Sequence, residues 1–197
     1  MMNKLINIVK NIIKGNIPNS VPQMTKDDVL SIIYAKYPIL KNNLPDFFIV
    51  GIRGYYKDTM GVPKENDRRI YDDAIFLIGK TEFRSFNANT DPSLFRTNIA
   101  TLIPGIWPVY KFDLHKGQYL AICQRAGVVT VSRDGKGLDT GYFGINIHRG
   151  SVNNTSSEGC QTIPPSQWKD FITMALVLAK KYKSVNYKKE TYTYILL

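Results

Sequence analysis

The sequence predicts a β-rich α+β fold, a prediction that depends on three observations. Most of the chain after residue 46 consists of short apolar or alternating stretches separated by turn residues, which is typical of strands in a sandwich or partial barrel. One long amphipathic segment lies near the C-terminus, and two helical segments precede the strands. With 44% hydrophobic and 12% aromatic residues, the chain can form a sizeable core.

The first 46 residues are predicted to form a helical segment with a linker, ahead of a domain spanning 47–197. Residues 1–14 have the pattern of an amphipathic helix that packs on the domain or, in the alternative, lies on a membrane surface. Their apolar runs are too short for a signal peptide, so we expect synthesis in the cytoplasm. Thr25 is a suitable N-cap for a second helix, which Pro38 ends.

The remaining elements follow from alternation, turn signals and helical spacing. The predicted strands are 47–56, 73–78, 81–87, 107–112, 118–124, 128–132, 141–148 and 192–197. Residues 133–137 have the composition of a hairpin turn. Pro164 and Pro165 can begin the long helix, where the missing N–H of proline has no cost. Its predicted core face comprises Trp168, Phe171, Ile172, Ala175, Leu178, Ala179 and Tyr182.

The charge of the chain indicates an anionic partner. A net charge of +10 and an isoelectric point near 9.5 favour nucleic acid, acidic lipid or an anionic cell-wall polymer. No known nucleic-acid-binding signature accompanies the charge, so we do not expect nucleic acid to be the partner. The two cysteines and two histidines form no closely spaced ligand pair, and we therefore expect no metal or other cofactor. Composition does not predict the oligomeric state.

The strongest candidate for chemistry is Cys160, which follows Gly159 and precedes the long helix. Glycine permits an unusual turn, and backbone N–H groups near a helix start lower a thiol pKa and stabilise an oxyanion. His148 lies at the polar end of the predicted strand 141–148 and is the expected base. By contrast, Cys123 lies within an apolar strand and is predicted to be core, and His115 is predicted to be a loop residue.

These residues resemble the catalytic signature of the L,D-transpeptidases, which have the YkuD-like fold. The resemblance lies in the aromatic-Gly-Ile-x-Ile-His strand that ends at His148, followed by Ser157-Glu158-Gly159-Cys160 and a helix. It implies a β-sandwich catalytic domain over about 47–182, although only residues 141–163 carry the specific motifs. Members of this family attack the stem peptide of peptidoglycan at an L,D bond and form a cysteine thioester. An amine or water then accepts the acyl group.

By this resemblance Cys160 is the nucleophile and His148 is the base. Ser157 and Gly159 shape the turn, and the backbone N–H groups of Gly159 and Cys160 form the oxyanion hole. Tyr142 and Asn146, in the strand before His148, are predicted substrate contacts.

Three features depart from the family pattern. Arg149 separates the histidine from Gly150, the loop from His148 to Cys160 is short, and Thr162 stands where the family has an arginine. Arg149 or Arg53 is therefore predicted to supply the missing positive charge to the substrate.

The departures and the lack of a recognisable signal peptide suggest a divergent member, similar to phage-borne endolysins or toxin-like wall enzymes. Such a protein would act on bacterial peptidoglycan after release or delivery, by hydrolysis or by acyl transfer. The alternative is a catalytically inert module on the same fold that binds the cell wall through its positive charge.

Overall fold

The computed structural model describes residues 16–197, and the predicted helix 1–14 lies outside them. It contains two α-helices, α1 (Lys26–Lys36) and α2 (Pro165–Tyr182), and a 3-10 helix, Pro38–Asn42. The strands are β1 (Phe47–Ile52), β2 (Asp73–Gly79), β3 (Phe83–Ala88), β4 (Ala100–Leu102), β5 (Gly105–His115), β6 (Tyr119–Gln124), β7 (Val129–Arg133), β8 (Gly137–Gly141), β9 (Ile147–Arg149), β10 (Gln161–Ile163) and β11 (Tyr192–Leu196). The prediction of a β-rich α+β fold is confirmed.

Eight of the strands form one mixed sheet in the order β10-β9-β6-β5-β11-β1-β2-β3. The two pairs β9–β10 and β1–β11 are parallel, and the other neighbours are antiparallel. The edges of this sheet meet where Asn89, just after β3, exchanges two backbone hydrogen bonds with Thr162 in β10. The sheet therefore curls on itself in the manner of a partial barrel, and its edge strands are protected by this contact.

Helix α2 packs against the strands on either side of that closure. It begins at Pro165, as predicted, and buries Trp168, Phe171, Ala175, Leu178 and Ala179. These side chains join the larger hydrophobic core, which contains inward residues of nearly every strand. The amphipathic pattern of this segment was therefore a correct guide to both its structure and its buried face.

Helix α1 covers a second, smaller core on the opposite side of β1 and β2. Thr25 is its N-cap and forms a capping box with Asp28, because each side chain bonds to the backbone of the other residue. Val29 and Ile33 are fully buried against apolar residues of the sheet. The described part of the predicted N-terminal segment is thus packed on the domain. Within residues 16–197, no helix has both the length and the apolar character needed to cross a bilayer.

The strands β4, β7 and β8 form a separate three-stranded antiparallel sheet. The predicted hairpin turn joins β7 to β8, as expected. The predicted strand 141–148 is wrong, because β8 ends at Gly141 and β9 begins only at Ile147. Much of the segment between them bonds to a side chain: the Gln124 amide oxygen accepts from the N–H groups of Phe143 and Ile145, and its nitrogen donates to the Gly141 carbonyl.

Candidate active site

A cavity of about 1200 Å³ opens between the small sheet and the β9–β10 end of the large sheet. Cys160, His148, His115 and Asn146 line it, together with the loop residues before Cys160. Both predicted catalytic residues therefore lie in one cavity. Cys160 is partly exposed, whereas His148 is 5% exposed.

The turn before Cys160 requires glycine at position 159. Gly159 has a φ of 142°, a region that L-residues rarely adopt. A Cβ atom there would lie 2.6 Å from the carbonyl oxygen of Ala100 in β4. The prediction that Gly159 permits an unusual turn is thus explained by both backbone conformation and lack of space.

Ser157 closes the same turn through its hydroxyl group. Its Oγ accepts a hydrogen bond from the Gly159 N–H at 3.0 Å and donates to the Cys160 carbonyl at 2.6 Å. Its own N–H donates to Ser93 Oγ, which is also bonded to Thr155 Oγ1. The turn is therefore held by a buried network of hydroxyl groups. Ser93 was not identified as a site residue from the sequence.

The Gly159 N–H was predicted to serve in the oxyanion hole, but its hydrogen bond to Ser157 occupies it. The Cys160 N–H, in contrast, donates to no acceptor in the described part of the chain. A second donor points at the sulfur itself, since the Asn146 N–H lies 3.4 Å from Sγ. The Cys160 N–H is therefore available to an oxyanion, whereas the Asn146 N–H is bonded to the sulfur.

The sulfur of Cys160 is held as a thiol. Sγ donates to the Gly144 carbonyl at 3.3 Å, and burial raises the pKa of Cys160 to about 11 despite the hydrogen bond from Asn146. The loop predicted to be strand thus has a functional consequence: Gly144, with a φ of 70°, turns its carbonyl toward the thiol. A carbonyl acceptor stabilises the S–H form and not the thiolate.

His148 is held as a neutral imidazole with a defined tautomer. Its Nδ1 lies 2.8 Å from the carbonyl oxygen of Arg149, which can only accept, so Nδ1 carries the proton and Nε2 is the basic atom. Burial, and then the proximity of His115, lower the pKa of His148 to about 4. The imidazole is therefore unprotonated at neutral pH, as a general base must be.

The parallel pairing of β9 with β10 relates the two residues. His148 is the neighbour of Thr162, and Cys160 lies two residues earlier on the same face. This offset corresponds to about 6.6 Å along the strand at about 3.3 Å per residue. No hydrogen bond joins Sγ to His148 in the described structure, where the thiol instead donates to Gly144. The side chain must rotate away from that carbonyl before its proton can pass to Nε2.

His115 is the residue that sequence reasoning misjudged most. It was predicted to be a loop residue, but it ends β5, is 6% exposed and lines the cavity. Its ring stacks on that of His148 with 4.1 Å between centroids. Its neighbours in sequence, Leu114 and Lys116, are both exposed, and its proximity to His148 arises only because β5, β6 and β9 are adjacent in the sheet.

Asn146 lies in the cavity as predicted, but its side chain is turned inward. Its Oδ1 accepts from the Gln124 N–H and its Nδ2 bonds to His115 Nδ1, so both amide groups have protein partners. Gln124 itself was missed, although a polar residue at the end of the apolar strand β6 was a usable signal. Together Gln124 and Asn146 connect the loop 142–146 to His115, whose ring stacks on His148.

The structure places three predicted substrate contacts outside the cavity lining. Arg53 is bonded to Asp91 and Thr90 under another part of the sheet. Tyr142 is 67% exposed, and the Arg149 guanidinium lies over the Tyr119 ring. Thr162 is fully buried in the sheet closure, so an arginine could not be accommodated there without disrupting it.

Other cationic side chains supply positive charge around the cavity instead. Those among its lining residues are Arg69, Arg96, Lys116, Arg125 and Arg133, against the single acid Glu158. Arg96 pairs with Glu158, Arg125 with Asp113 and Arg133 with Asp139. Lys116 is exposed and forms no ion pair with any described residue. The cavity therefore favours an anionic ligand.

Within residues 16–197, no three His, Cys, Asp or Glu side chains converge in a way that would hold a metal ion. No protein-family model matches the chain, and no curated protein matches it either.

Proposed function

We propose that this protein is a cysteine-dependent enzyme that processes the stem peptides of bacterial peptidoglycan at L,D bonds. The observation that carries the proposal is the placement of an imidazole with a free Nε2 on β9 and of a thiol on the residue just before the parallel strand β10, both lining one cavity. The sequence resemblance to the L,D-transpeptidases supplies the substrate class. The cationic lining supports it, because stem peptides carry several carboxylates.

In the proposed reaction, Nε2 of His148 takes the thiol proton as Sγ attacks the carbonyl carbon of the scissile bond. The high pKa of Cys160 and the low pKa of His148 favour the neutral pair over a preformed thiolate–imidazolium pair. Proton transfer and attack must therefore be coupled, with the Cys160 N–H available to the developing oxyanion.

Collapse of the tetrahedral intermediate then breaks the C–N bond, and the imidazolium returns its proton to the leaving amine. The acyl group remains on Sγ as a thioester. Water or a second amine attacks it, with His148 again as base, and releases Cys160 as a thiol. The two outcomes are net hydrolysis and net acyl transfer.

A second candidate is an inert module on the same fold that binds the cell wall. One observation favours it: the thiol is protonated and bonded to the Gly144 carbonyl, an arrangement suited to a structural cysteine. Surface cations would then account for the binding of anionic wall polymers.

The two candidates are separated by incubating the full chain with tetrapeptide muropeptides and analysing products and intact protein by mass spectrometry. We expect wild type to change the muropeptide profile and to carry a transient acyl mass, both lost in Cys160→Ala. Cys123→Ala is the matched control, since Cys123 is fully buried in β6 and away from the cavity lining. Identical profiles for wild type and Cys160→Ala would reject the enzyme, and equal binding of both to sacculi would then support the module.

A further inference from the structure

The His115 and His148 rings form a stacked pair whose geometry is defined by surrounding hydrogen bonds. The ring planes are inclined by 20° with centroids 4.1 Å apart. Two imidazolium cations at this separation would repel each other strongly in a buried environment. The stacked arrangement is therefore compatible with neutral rings.

Hydrogen bonds on the far side of the pair determine the tautomer of His115. The Asn146 amide has one orientation, because its Oδ1 accepts from the Gln124 N–H at 3.0 Å. Its Nδ2 therefore faces His115 Nδ1 at 3.1 Å and donates to it. A proton on Nδ1 would place two donors against each other, so protonation of His115 is opposed by a group that cannot rotate without losing its own bond.

The charged groups around the pair act in the same direction. Lys116 follows His115, Arg125 follows the end of β6, and both line the cavity. The only carboxylate in the cavity lining is Glu158, which pairs with Arg96. The other titratable or charged groups nearby are Tyr119, whose ring contacts His115, the Arg149 guanidinium over that ring, Asp113, which pairs with Arg125, and the neutral thiol of Cys160.

We propose that His115 is a positioning residue, a proposal that rests on the proposed function. The His115 ring, anchored by Asn146, packs face to face on the His148 ring and excludes water from that face. It thereby keeps the Nε2 of His148 unprotonated and directed to the thiol. Arg149 holds the opposite edge of the His148 ring through its carbonyl. The base is thus held on one edge and one face. Burial lowers the pKa of both imidazoles, which agrees with this role. The consequence is a base that stays competent in acidic surroundings, where a free histidine is protonated.

Two substitutions separate the ring from its hydrogen bond. His115→Gln retains an acceptor for Asn146 but removes the ring, whereas His115→Phe retains a flat ring and removes the acceptor. The sequence contains two histidines, so His148 is the single histidine of each variant. The imidazole signals in an NMR titration of the full chain then belong to His148 without further assignment.

We expect His115→Gln to raise the pKa of His148 by at least about one unit, a tenfold change in proton affinity, and His115→Phe to shift it by less than half of that. An unchanged value in His115→Gln, or an equally large shift in both variants, would overturn the role given to the ring. Nitrogen-15 shifts in wild type provide a test that needs no variant: a protonated Nδ1 on His115 at neutral pH would contradict the proposal even if the variants failed to fold.

Activity provides the readout that links the pair to catalysis. The acid limb of kcat/KM for muropeptide conversion should move upward in His115→Gln by the same amount as the NMR value, with KM unchanged within about twofold. If wild type converts no muropeptide, the proposed function fails, while the NMR titration still decides whether His115 controls His148. The pKa of His148 measured by NMR could rise in His115→Gln while the acid limb of kcat/KM stays in place. That result would show that His148 is not the base seen in the kinetics, and it would overturn the positioning role.

Discussion

Two clusters of buried ionisable groups lie on different parts of this molecule, and they differ in access. The first is the His115, His148 and Cys160 group, which faces the cavity. The second comprises Asp72, Asp73 and Asp91, all nearly inaccessible and none part of the cavity lining. Burial raises the pKa of Asp72 to about 8 and that of Asp73 to about 7. Perturbed pKa values alone would therefore have indicated two sites.

The partners of each cluster show why only the first is a candidate for chemistry. Asp91 is engaged by Arg53 and Asp73 by the Gly54 and Thr90 N–H groups. Asp72 accepts from the Asp67 N–H through Oδ2, and its buried Oδ1 has no described partner but does not face the cavity. The first cluster leaves the Nε2 of His148 and the Cys160 N–H without described partners, and its thiol, although hydrogen-bonded to Gly144 and Asn146, lines an open cavity. The comparison teaches that reactive atoms mark a candidate site when they open onto a cavity, and that Arg53 belongs to the structural cluster.

The largest expected effect would test the role of the first cluster. His148→Gln removes the basic nitrogen from the cavity, and we expect kcat to fall by about 100- to 10,000-fold, the usual contribution of a general base. Arg149→Ala is the control at the adjacent position, because its guanidinium lies over Tyr119 and outside the cavity lining. Muropeptide turnover measured for both variants checks the contrast, and similar losses in both would contradict it.

The next effect would test the structural role of the second cluster. Arg53→Met leaves Asp91 without its ion-pair partner and Thr90 without two hydrogen bonds. Removing one partner of a largely buried pair costs about 3 kcal/mol, which we expect in the free energy of unfolding measured by urea denaturation. KM of the folded variant should stay unchanged. An increased KM with unchanged stability would return Arg53 to the substrate site.

The smallest effect concerns the pH dependence of stability. Because Asp72 and Asp73 have raised pKa values when folded, the native state binds more protons than the unfolded state between about pH 4 and 8. Their contribution therefore makes stability fall as pH rises through that window, by up to about 1.4 kcal/mol per pH unit for each proton. His148 has the opposite effect between about pH 4 and 6.5, because it is protonated in the unfolded chain and neutral in the folded protein. Above pH 6.5 it is largely neutral in both states and no longer opposes the trend.

We expect the free energy of unfolding of wild type to decrease from pH 6.5 to 8, and this slope to be smaller in Asp72→Asn. Denaturation at several pH values measures it. Equal slopes in wild type and variant would show that Asp72 is ionised in the folded protein, so that the second cluster would not resemble the first in its electrostatics.

Much of the site could be predicted where a local pattern carries the information. The Gly159-Cys160 turn, the cap at Thr25 and the buried face of α2 depend on residues close together in sequence, so backbone preference and periodicity were sufficient. The strand 141–148 was wrong because alternation describes exposure and not bonding partners. The Gln124 side chain satisfies the backbone that a neighbouring strand would otherwise bond.

The sequence by itself determined the β-rich fold class, the nucleophile candidate and its expected base, because these follow from patterns and residue chemistry. Only the tertiary structure decided that His115 stacks on His148, that Arg53 belongs to the buried carboxylates and that the Gly159 N–H is occupied. Some of these contacts join residues that the order of the strands in the sheet brings together. Others depend on which of several possible donors gives its hydrogen bond to a hydroxyl or carboxylate oxygen. Such selection depends on distance and burial in three dimensions, which spacing along a chain does not contain.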